Sequence, residues 1–268
     1  MHLIINTRPE STSTALQQAL QQLHLPCVHL PGMAIAGPQQ AQQVRSQLLA
    51  AVQQDVWIFT SINAIEQTFN LLAEASAATS KWPTMAVLGQ GSKQYLQRCL
   101  RQHGMTGSDI IAPPAGSSNT SEGLLQHSRL QDVSDQHILI LNAPGGRDKL
   151  LTTLQQRGAV ADELAVYRRV PARLEPAAVQ TIADWSGDLL TLWTSSTSIR
   201  FLQQQLHASK EADAEPGKIW RRIMHGQHLV LSARQQRLLQ QLDAVTIIIA
   251  NSPDIDNLAQ QLRELAGA

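Results

Sequence analysis

The chain has 268 residues, 21 basic and 21 acidic side chains, and two cysteines. Its length suits one large domain or two small ones, and an apolar fraction of 43% is enough for a folded core. Zero formal net charge argues against a nucleic-acid-binding protein that depends on a strong positive field. Two cysteines cannot form a disulfide framework, and their spacing makes no zinc site.

The N-terminus shows no targeting segment. Its apolar run is four residues long, with Arg8 and Glu10 close behind, whereas a signal peptide needs an apolar stretch of about 7–15 residues. No stretch approaches the ~18 apolar residues of a membrane span. We therefore expect a soluble cytoplasmic protein that does not bind membranes.

Short apolar runs alternate with Leu-, Gln- and Ala-rich segments of helical period, which predicts α/β units with parallel sheets. The predicted strands, in chain order, are Leu3–Asn6, Val28–Leu30, Asp55–Thr60, Met85–Leu88, Ile138–Leu141, Glu163–Arg169, Leu189–Trp193, His228–Leu231 and Val245–Ala250. Helices are predicted at Ser13–Leu23, Gln40–Gln53, after Asn63 to about Ala75, from Ser92 to just before Gly104, from Ser121, Lys149–Gln156, Arg173–Ala183, after Ser196, from about Arg234, and Asp256–Leu265. Segment 31–38 fits neither pattern, 107–119 is expected to be rich in loops, and 207–217 is expected to be a polar break.

The two halves of the chain repeat three strand-to-helix junctions. WIFTSINAIEQTF (57–69) resembles LLTLWTSSTSIRFL (189–202), and VLGQGSKQYLQRCL (87–100) resembles VLSARQQRLLQQL (230–242). LIINTRPESTSTALQQAL (3–20) resembles LILNAPGGRDKLLTTLQQ (139–156). The chain therefore reads as two copies of one α/β unit.

The repeated junctions are candidates for binding a polyanion. In parallel sheets, ligands bind beyond the carboxyl ends of the strands, where helix N-termini present N–H groups that suit anions. The junctions carry small hydroxyls, amides, glycines and arginines, namely Arg8, Thr60, Ser61, Asn63, Gly89, Ser92, Gly145, Gly146, Arg147, Thr194 and Ser195. Further basic residues could make the region locally positive, although several will only be solvated: Lys149, Arg168, Arg169, Arg200 and Arg234. Each hydroxyl alone can be a simple helix cap, but six junctions together favour a shared site.

Familiar catalytic motifs are missing from the chain. There is no nucleotide P-loop, no third glycine after Gly89 and Gly91, and no G-x-S-x-G elbow. His225 and His228 lack the further ligands of a metal site. An enzyme with this sequence would work without metal or cofactor, by positioning and hydrogen bonding. Tyr167, in VYRRV, is either an ordinary strand tyrosine or a phenol donor beside an anion-binding surface.

An ordered set of motifs resembles the uroporphyrinogen-III synthase family almost from end to end. The set runs TRP, WIFTSINAIEQTF, AVLGQGSKQYLQRCLRQHGM, NTSEGLL, ILILNAPGGRDKLLTTLQQRGAVADELAVYRR and WTSSTSIRFL, and LNAPGGRDKLLTTLQQRGA with VYRR is its most specific part. The family usually has Thr where Ser92 stands, and many members have Gly where Asp243 stands.

The resemblance implies an α/β fold of two lobes, each a parallel sheet flanked by helices, joined by a two-stranded linker with a cleft between the lobes. Lobe 1 would comprise residues 1–33 plus 173–268, and lobe 2 residues 38–165. The linkers would lie at about 34–37 and 166–172.

The resemblance also implies the reaction. The family converts hydroxymethylbilane, a linear tetrapyrrole with eight carboxylates, to uroporphyrinogen III, with loss of water and inversion of ring D through a spiro intermediate. No cofactor or metal is implied. A family tyrosine that assists departure of the hydroxyl group corresponds to Tyr167, and the junction residues named above would bind substrate.

The expected partners are the substrate and, transiently, the preceding enzyme of the pathway, with no nucleic acid and no membrane; we expect a monomer. The alternative is a non-catalytic protein that binds a tetrapyrrole or another polyanion on the same fold. A two-lobed solute-binding protein is disfavoured because no signal peptide is visible.

Overall fold

A computed structural model describes residues 2–73, 82–104, 109–145, 148–207 and 215–267. The chain divides into two compact units. Unit 1 comprises Met1–Ala34 and Arg169–Ala268, and unit 2 comprises Ile35–Arg168. Among the described residues, no helix is long and apolar enough to cross a membrane.

Strands and helices alternate along the described chain. The strands are β1 (Leu3–Asn6), β2 (Cys27–His29), β3 (Met33–Ala36), β4 (Val56–Phe59), β5 (Thr84–Val87), β6 (Ile110–Ile111), β7 (His137–Asn142), β8 (Val160–Ala165), β9 (Arg168–Pro171), β10 (Leu189–Trp193), β11 (Gln227–Val230) and β12 (Thr246–Ile249). The helices are α1 (Glu10–Gln22), α2 (Ala41–Ala50), α3 (Ile62–Leu72), α4 (Gln90–Gln102), α5 (Ser121–Leu124), α6 (Lys149–Gln156), α7 (Pro176–Asp184), α8 (Ser196–His207), α9 (Glu215–His225), α10 (Ala233–Gln240) and α11 (Ile255–Ala266).

Each unit is built on a five-stranded sheet whose strands all run parallel. The order in unit 1 is β12-β11-β10-β1-β2, and the order in unit 2 is β6-β5-β4-β7-β8. Strands β3 and β9 form a separate two-stranded sheet, and the chain passes from one unit to the other within or beside these strands. The predicted fold class, two parallel sheets flanked by helices with a two-stranded connection, is confirmed.

Both faces of each sheet are buried, which explains the nearly continuous apolar strands. In β4, Trp57 and Phe59 pack into one cluster with apolar residues of α2, α3 and α4, whereas Val56 and Ile58 pack into a second cluster with α5 and α6. In β1, Ile5 packs into a cluster with α8 and α9, whereas Ile4 on the opposite face packs with α1 and α11. Successive residues of a strand point to opposite faces, so helices must cover both sides of each sheet.

The predicted duplication is visible in the strand order. By position in the strand order, β10 of unit 1 corresponds to β4 of unit 2, β11 to β5, and β1 to β7. These are the three junction pairs that the sequence repeats. The units differ in connectivity, because β1 and β2 of unit 1 come from the N-terminus of the chain and its other strands come from the C-terminal part.

The single strand predicted at Glu163–Arg169 is wrong. Strand β8 of the five-stranded sheet ends at Ala165, and β9 of the two-stranded sheet begins at Arg168. Strand β7 ends at Asn142, whose carbonyl accepts a hydrogen bond from Val166 N–H at 3.0 Å. Beyond that bond β8 has no neighbouring strand residue to pair with, so the chain leaves the sheet just before Tyr167.

Three further elements were missed. Segment 107–119, which was expected to be rich in loops, contains β6. Segment 31–38, which fitted neither pattern, contains β3. The predicted polar break at 207–217 overlaps α9, although residues 208–214 lie outside the described residues. The signal for α9 was present as a helical stripe of buried apolar side chains: Ile219, Trp220, Ile223 and Met224.

The turns after α4 and α10 occupy corresponding places in the two units. Gly104 follows α4 in the left-handed region with φ +70°, as a glycine at a helix C-terminus commonly does. Asp243 follows α10 with φ +63°. The resemblance described above leads us to expect Gly at the position of Asp243, and this backbone conformation favours glycine.

Candidate functional site

The carboxyl ends of three neighbouring strands form one edge of the unit 2 sheet. Phe59, the last residue of β4, is in register with Val87 of β5 on one side and with Leu141 of β7 on the other. The residues that follow these strands therefore lie at the same edge. Six predicted substrate-binding residues lie there, at strand ends or in the first turns of α3 and α4: Thr60, Ser61, Asn63, Gly89, Ser92 and Gly145.

Thr60 and Ser61 both use their hydroxyls within the fold. The Thr60 hydroxyl donates to the Leu141 carbonyl at 3.2 Å, and the Thr60 N–H donates to the same oxygen at 3.1 Å. Ser61 is the N-cap of α3, because its Oγ accepts a hydrogen bond from Ala64 N–H at 3.1 Å. The Thr60 side chain therefore fastens β4 to β7, while Ser61 keeps one hydrogen-bonding position for another partner.

That partner is Tyr167. Its hydroxyl and Ser61 Oγ share a hydrogen bond of 3.1 Å, and the tyrosine is only 2% exposed. The phenol packs in the same buried cluster as Phe59 and Ala64. The residue predicted to be catalytic thus lies at the same sheet edge as the predicted substrate-binding residues of unit 2.

A second polar pair holds the strand that leads to Tyr167. Asn142 Nδ2 donates to Glu163 Oε1 at 2.9 Å and so ties the last residue of β7 to β8. Burial raises the pKa of Glu163, the charge of Asp148 raises it further, and the hydrogen bond from Asn142 lowers it. The sequence reasoning missed this pair. The only signal available was an asparagine that ends an otherwise apolar strand.

Two positions at this edge are occupied by glycine for different structural reasons. Gly89 is buried at the N-cap of α4, and a Cβ atom there would lie 3.0 Å from the side chain of Asn119. The Asn119 side chain therefore approaches the backbone more closely than a larger residue would allow. Gly145 is exposed with φ +78°, which favours glycine on conformational grounds. Gly146 and Arg147, the next predicted residues, lie outside the described residues.

The corresponding edge of unit 1 carries the other predicted residues. Arg8 follows β1, and Thr194 and Ser195 follow the neighbouring strand β10. Ser195 Oγ accepts from Thr197 N–H at 3.1 Å near the start of α8. The Arg8 guanidinium is half-buried, and burial lowers its pKa. Its Nε atom is buried and has no hydrogen-bond partner in the part of the chain that is described.

The two histidines near one another in the sequence do not form a metal site. His228 is fully buried, where Trp193 Nε1 donates to its Nδ1 at 3.0 Å, while His225 is exposed. Across the described residues, no group of three or more His, Cys, Asp and Glu side chains is arranged to hold a metal ion. The predicted residues at the edge of each unit offer hydroxyls, amides, backbone N–H groups or arginine, and groups of these kinds suit anions.

Comparison with known proteins identifies the family. Residues 14–260 match the family model described as uroporphyrinogen-III synthase HemD. The chain belongs to the uroporphyrinogen-III synthase family. It is 26% identical to the uroporphyrinogen-III synthase of Escherichia coli (strain K12) over 260 residues, which are 97% of this chain and 99% of that protein. It is 29% identical to the enzyme of Proteus mirabilis over 170 residues, covering 62% of this chain and 80% of that one.

Solved structures show the same fold. The uroporphyrinogen-III synthetase of Helicobacter pylori 26695 matches with a TM-score of 0.61 at 15% identity, covering 99% of this chain and 100% of that chain. A mutant uroporphyrinogen III synthase from Thermus thermophilus matches with a TM-score of 0.56 at 14% identity, covering 100% of this chain and 99% of that chain. At these identities the likeness concerns the fold alone, and the residue assignments depend on the geometry described above.

Proposed function

We propose that this protein converts hydroxymethylbilane to uroporphyrinogen III, with loss of water and inversion of ring D. Membership of the uroporphyrinogen-III synthase family supports the reaction. The structural observation that supports a role for particular residues is the hydrogen bond between Ser61 and Tyr167 at the carboxyl edge of the unit 2 sheet. Tyr167 is the catalytic residue of the proposal.

The Ser61 hydroxyl can keep the phenol in place while Tyr167 gives up its proton. Ala64 N–H donates to Ser61 Oγ, so the serine hydroxyl hydrogen is free to point at the phenol oxygen. The Tyr167 O–H can then donate to the hydroxyl group of the substrate. Hydrogen bonds arranged in such a chain polarise one another, which strengthens the terminal donor.

The first chemical step is loss of water. The carbon–oxygen bond of the hydroxymethyl group breaks, the pair of electrons stays on oxygen, and the oxygen takes the phenol proton and leaves as water. Ring D then attacks the resulting cationic carbon through its substituted carbon and forms the spiro intermediate. The bond from that ring D carbon to the bridge towards ring C breaks next, its electron pair returns to ring D, and the bridge carbon becomes cationic. The unsubstituted carbon of ring D attacks the bridge carbon and then loses its proton. The proton released when the macrocycle forms restores the phenol. General-acid assistance of this kind typically contributes about 10²–10⁴-fold.

The eight carboxylates of the substrate require many donors. Backbone N–H groups at the starts of α3, α4 and α6, with the hydroxyls and glycines of the unit 2 edge, supply uncharged donors. At the corresponding edge of unit 1, the proposed donors are Arg8, Thr194 and Ser195. The half-buried guanidinium of Arg8, with an unpaired Nε, supports its role as a carboxylate-binding residue.

The proposal extends to domain organisation and setting. We propose that residues 1–33 plus 173–268 form one lobe and residues 38–165 the other, with linkers near 34–37 and 166–172. The division of the chain into two compact units supports this proposal. We propose that the protein acts as a monomer, since one chain carries both copies of the duplicated edge, and that it acts in the cytoplasm. Because hydroxymethylbilane closes spontaneously without ring inversion, a transient contact with the enzyme that produces it would limit the loss of substrate.

The test is to supply hydroxymethylbilane and identify the uroporphyrin isomer after oxidation. We expect the type III isomer at a rate far above spontaneous closure. Type I product at the spontaneous rate, in the presence of folded protein, would contradict the proposal. That result with tight tetrapyrrole binding would instead support the alternative of a non-catalytic binding protein.

A further inference from the structure

Unit 1 contains a cavity of about 300 Å³ that three arginines share. It lies between α8 and α10. Its lining consists of Ser196, Arg200, Arg234, Arg237, Leu238 and Gln241. We call these six residues the arginine groove.

The arginine groove has no negative charge of its own. Neither α8 nor α10 contains an Asp or Glu, and no lining residue is acidic. Within the described residues, the side chains of Arg200 and Arg234 make no ion pair or hydrogen bond. Arg237 donates from Nε to the Ala233 carbonyl at 3.3 Å, which orients its guanidinium and leaves the terminal nitrogens available.

Three like charges around one small groove repel each other, and no described acidic side chain forms an ion pair with any of them. All three arginines are exposed, so solvent screens part of this repulsion. A bound anion would remove this repulsion. The planar guanidinium fork matches a carboxylate with two parallel hydrogen bonds, and Ser196 adds a hydroxyl donor. A volume of about 300 Å³ is the space of roughly ten water molecules, at ~30 Å³ each. That space suits one or two acidic side chains of a ligand, and the four rings of a tetrapyrrole would remain outside.

The position of the arginine groove connects it with the substrate. Ser196 is the first residue of α8 and directly follows Thr194 and Ser195, while Arg234 is the second residue of α10. The strands that precede these helices, β10 and β11, are adjacent and parallel. The groove therefore begins at the carboxyl edge of the unit 1 sheet, the edge to which Arg8 also belongs.

We propose that the arginine groove binds a carboxylate-bearing side chain of the linear tetrapyrrole. Arg200, Arg234 and Arg237 then act in substrate affinity and take no part in bond breaking. This inference rests on the proposed function.

The test compares steady-state constants for hydroxymethylbilane in Arg200→Gln, Arg234→Gln and Arg237→Gln. Loss of one charge-assisted hydrogen bond should raise KM by about 5- to 50-fold while kcat stays within about 2-fold. Arg234→Lys, which keeps the charge and loses the fork, should raise KM less than Arg234→Gln. The matched control is Arg263→Gln, which removes an exposed arginine from α11 and should leave both constants unchanged.

Other results would overturn the inference. One is a KM in all three variants equal to that of Arg263→Gln. Another concerns protection of the wild type against thermal unfolding by inorganic phosphate. If the three substitutions abolish that protection while KM is unaltered, the groove binds a free anion and not the substrate. Failure of the wild-type chain to form the type III isomer would contradict the proposed function itself, so the two failures are distinguishable.

Discussion

The two units of this protein share one backbone arrangement and differ in what they place on it. In each sheet the fourth strand ends in an asparagine whose carbonyl accepts a hydrogen bond of 3.0 Å from the residue that follows the fifth strand. In unit 2, Val166 donates to Asn142, and in unit 1, Leu30 donates to Asn6. The next residue is Tyr167 in unit 2 and Pro31 in unit 1. The same turn therefore presents a phenol in one unit and no donor in the other.

A serine hydroxyl accepts a backbone N–H near the start of a helix in both units, but only in unit 2 does that serine also bond to a tyrosine. Ser61 caps α3 and also contacts Tyr167, whereas Ser195 accepts from Thr197 N–H near the start of α8. Unit 1 instead concentrates charge at its edge, in Arg8 and in the arginine groove. The comparison teaches that the duplication conserves the backbone geometry of the strand ends. The phenol that we propose as the proton donor belongs to unit 2 alone.

The largest predicted difference between the units is how the free energy of unfolding depends on pH. His228 in β11 occupies the place that Met85 occupies in β5. Burial lowers the pKa of His228 to about 4, while a backbone hydrogen bond to Met224 opposes the shift. The unfolded chain, with a histidine pKa near 6.5, binds this proton first as the pH falls. Stability is therefore fully present above about pH 6.5 and falls towards pH 4, by about 3 kcal/mol in total.

Urea unfolding between pH 7 and pH 4.5 tests this difference. His228→Met, which installs the unit 2 residue, should flatten the pH dependence. It should also lower stability at neutral pH, because Trp193 Nε1 loses its acceptor. His225→Met, at an exposed position of α9, should keep the wild-type slope. An unchanged slope in His228→Met would show that other groups cause the acid sensitivity.

The second prediction separates capping from support of Tyr167. Ser61→Ala removes the cap of α3, which typically costs about 1 kcal/mol, and also removes the partner of the phenol. We expect kcat to fall by roughly 3- to 10-fold, because Tyr167 loses the donor that polarises it. Ser61→Thr keeps a hydroxyl and should retain most of kcat. Equal kcat in Ser61→Ala and the wild type would reduce Ser61 to a helix cap.

The smallest predicted effect concerns the corresponding turns after α4 and α10. Asp243→Gly should stabilise unit 1 by up to about 1 kcal/mol, because glycine adopts a φ of +63° without a steric penalty. Gly104→Ala, at φ +70° in unit 2, should destabilise by a similar amount, although no atom of the described residues lies within 4 Å of its added Cβ. Urea midpoints of the two variants should move in opposite directions. Equal midpoints would mean that these turns carry no backbone strain.

Much of the fold could be predicted because its signals are local. Strands β1 and β10 and helix α6 have the predicted bounds, and the repeated junctions correctly paired β4 with β10 and β7 with β1. Apolar runs followed by Ser, Thr or Gly are short-range patterns that survive in both copies.

The contacts of the candidate site could not be predicted in the same way. Ser61 and Tyr167 are 106 residues apart, and no local pattern indicates that their hydroxyls meet. The break between β8 and β9 depends on where the neighbouring strand β7 ends, and not on the residues of VYRRV themselves. The arginine groove needs the packing of α8 on α10, which brings Arg200 towards Arg234 and Arg237.

The central claim is that Tyr167 is the proton donor present in only one of the two units, and Tyr167→Phe tests it most directly. The substitution keeps the buried ring and removes only the hydroxyl. We predict a fall in kcat of at least ~10-fold with little change in folding or in product affinity, because a transition-state contact affects turnover more than ground-state binding. Tyr95→Phe removes the chain's other phenol, which lies in α4, and should keep wild-type turnover. If Tyr167→Phe forms the type III isomer at the wild-type rate, the tyrosine is structural and the account is wrong.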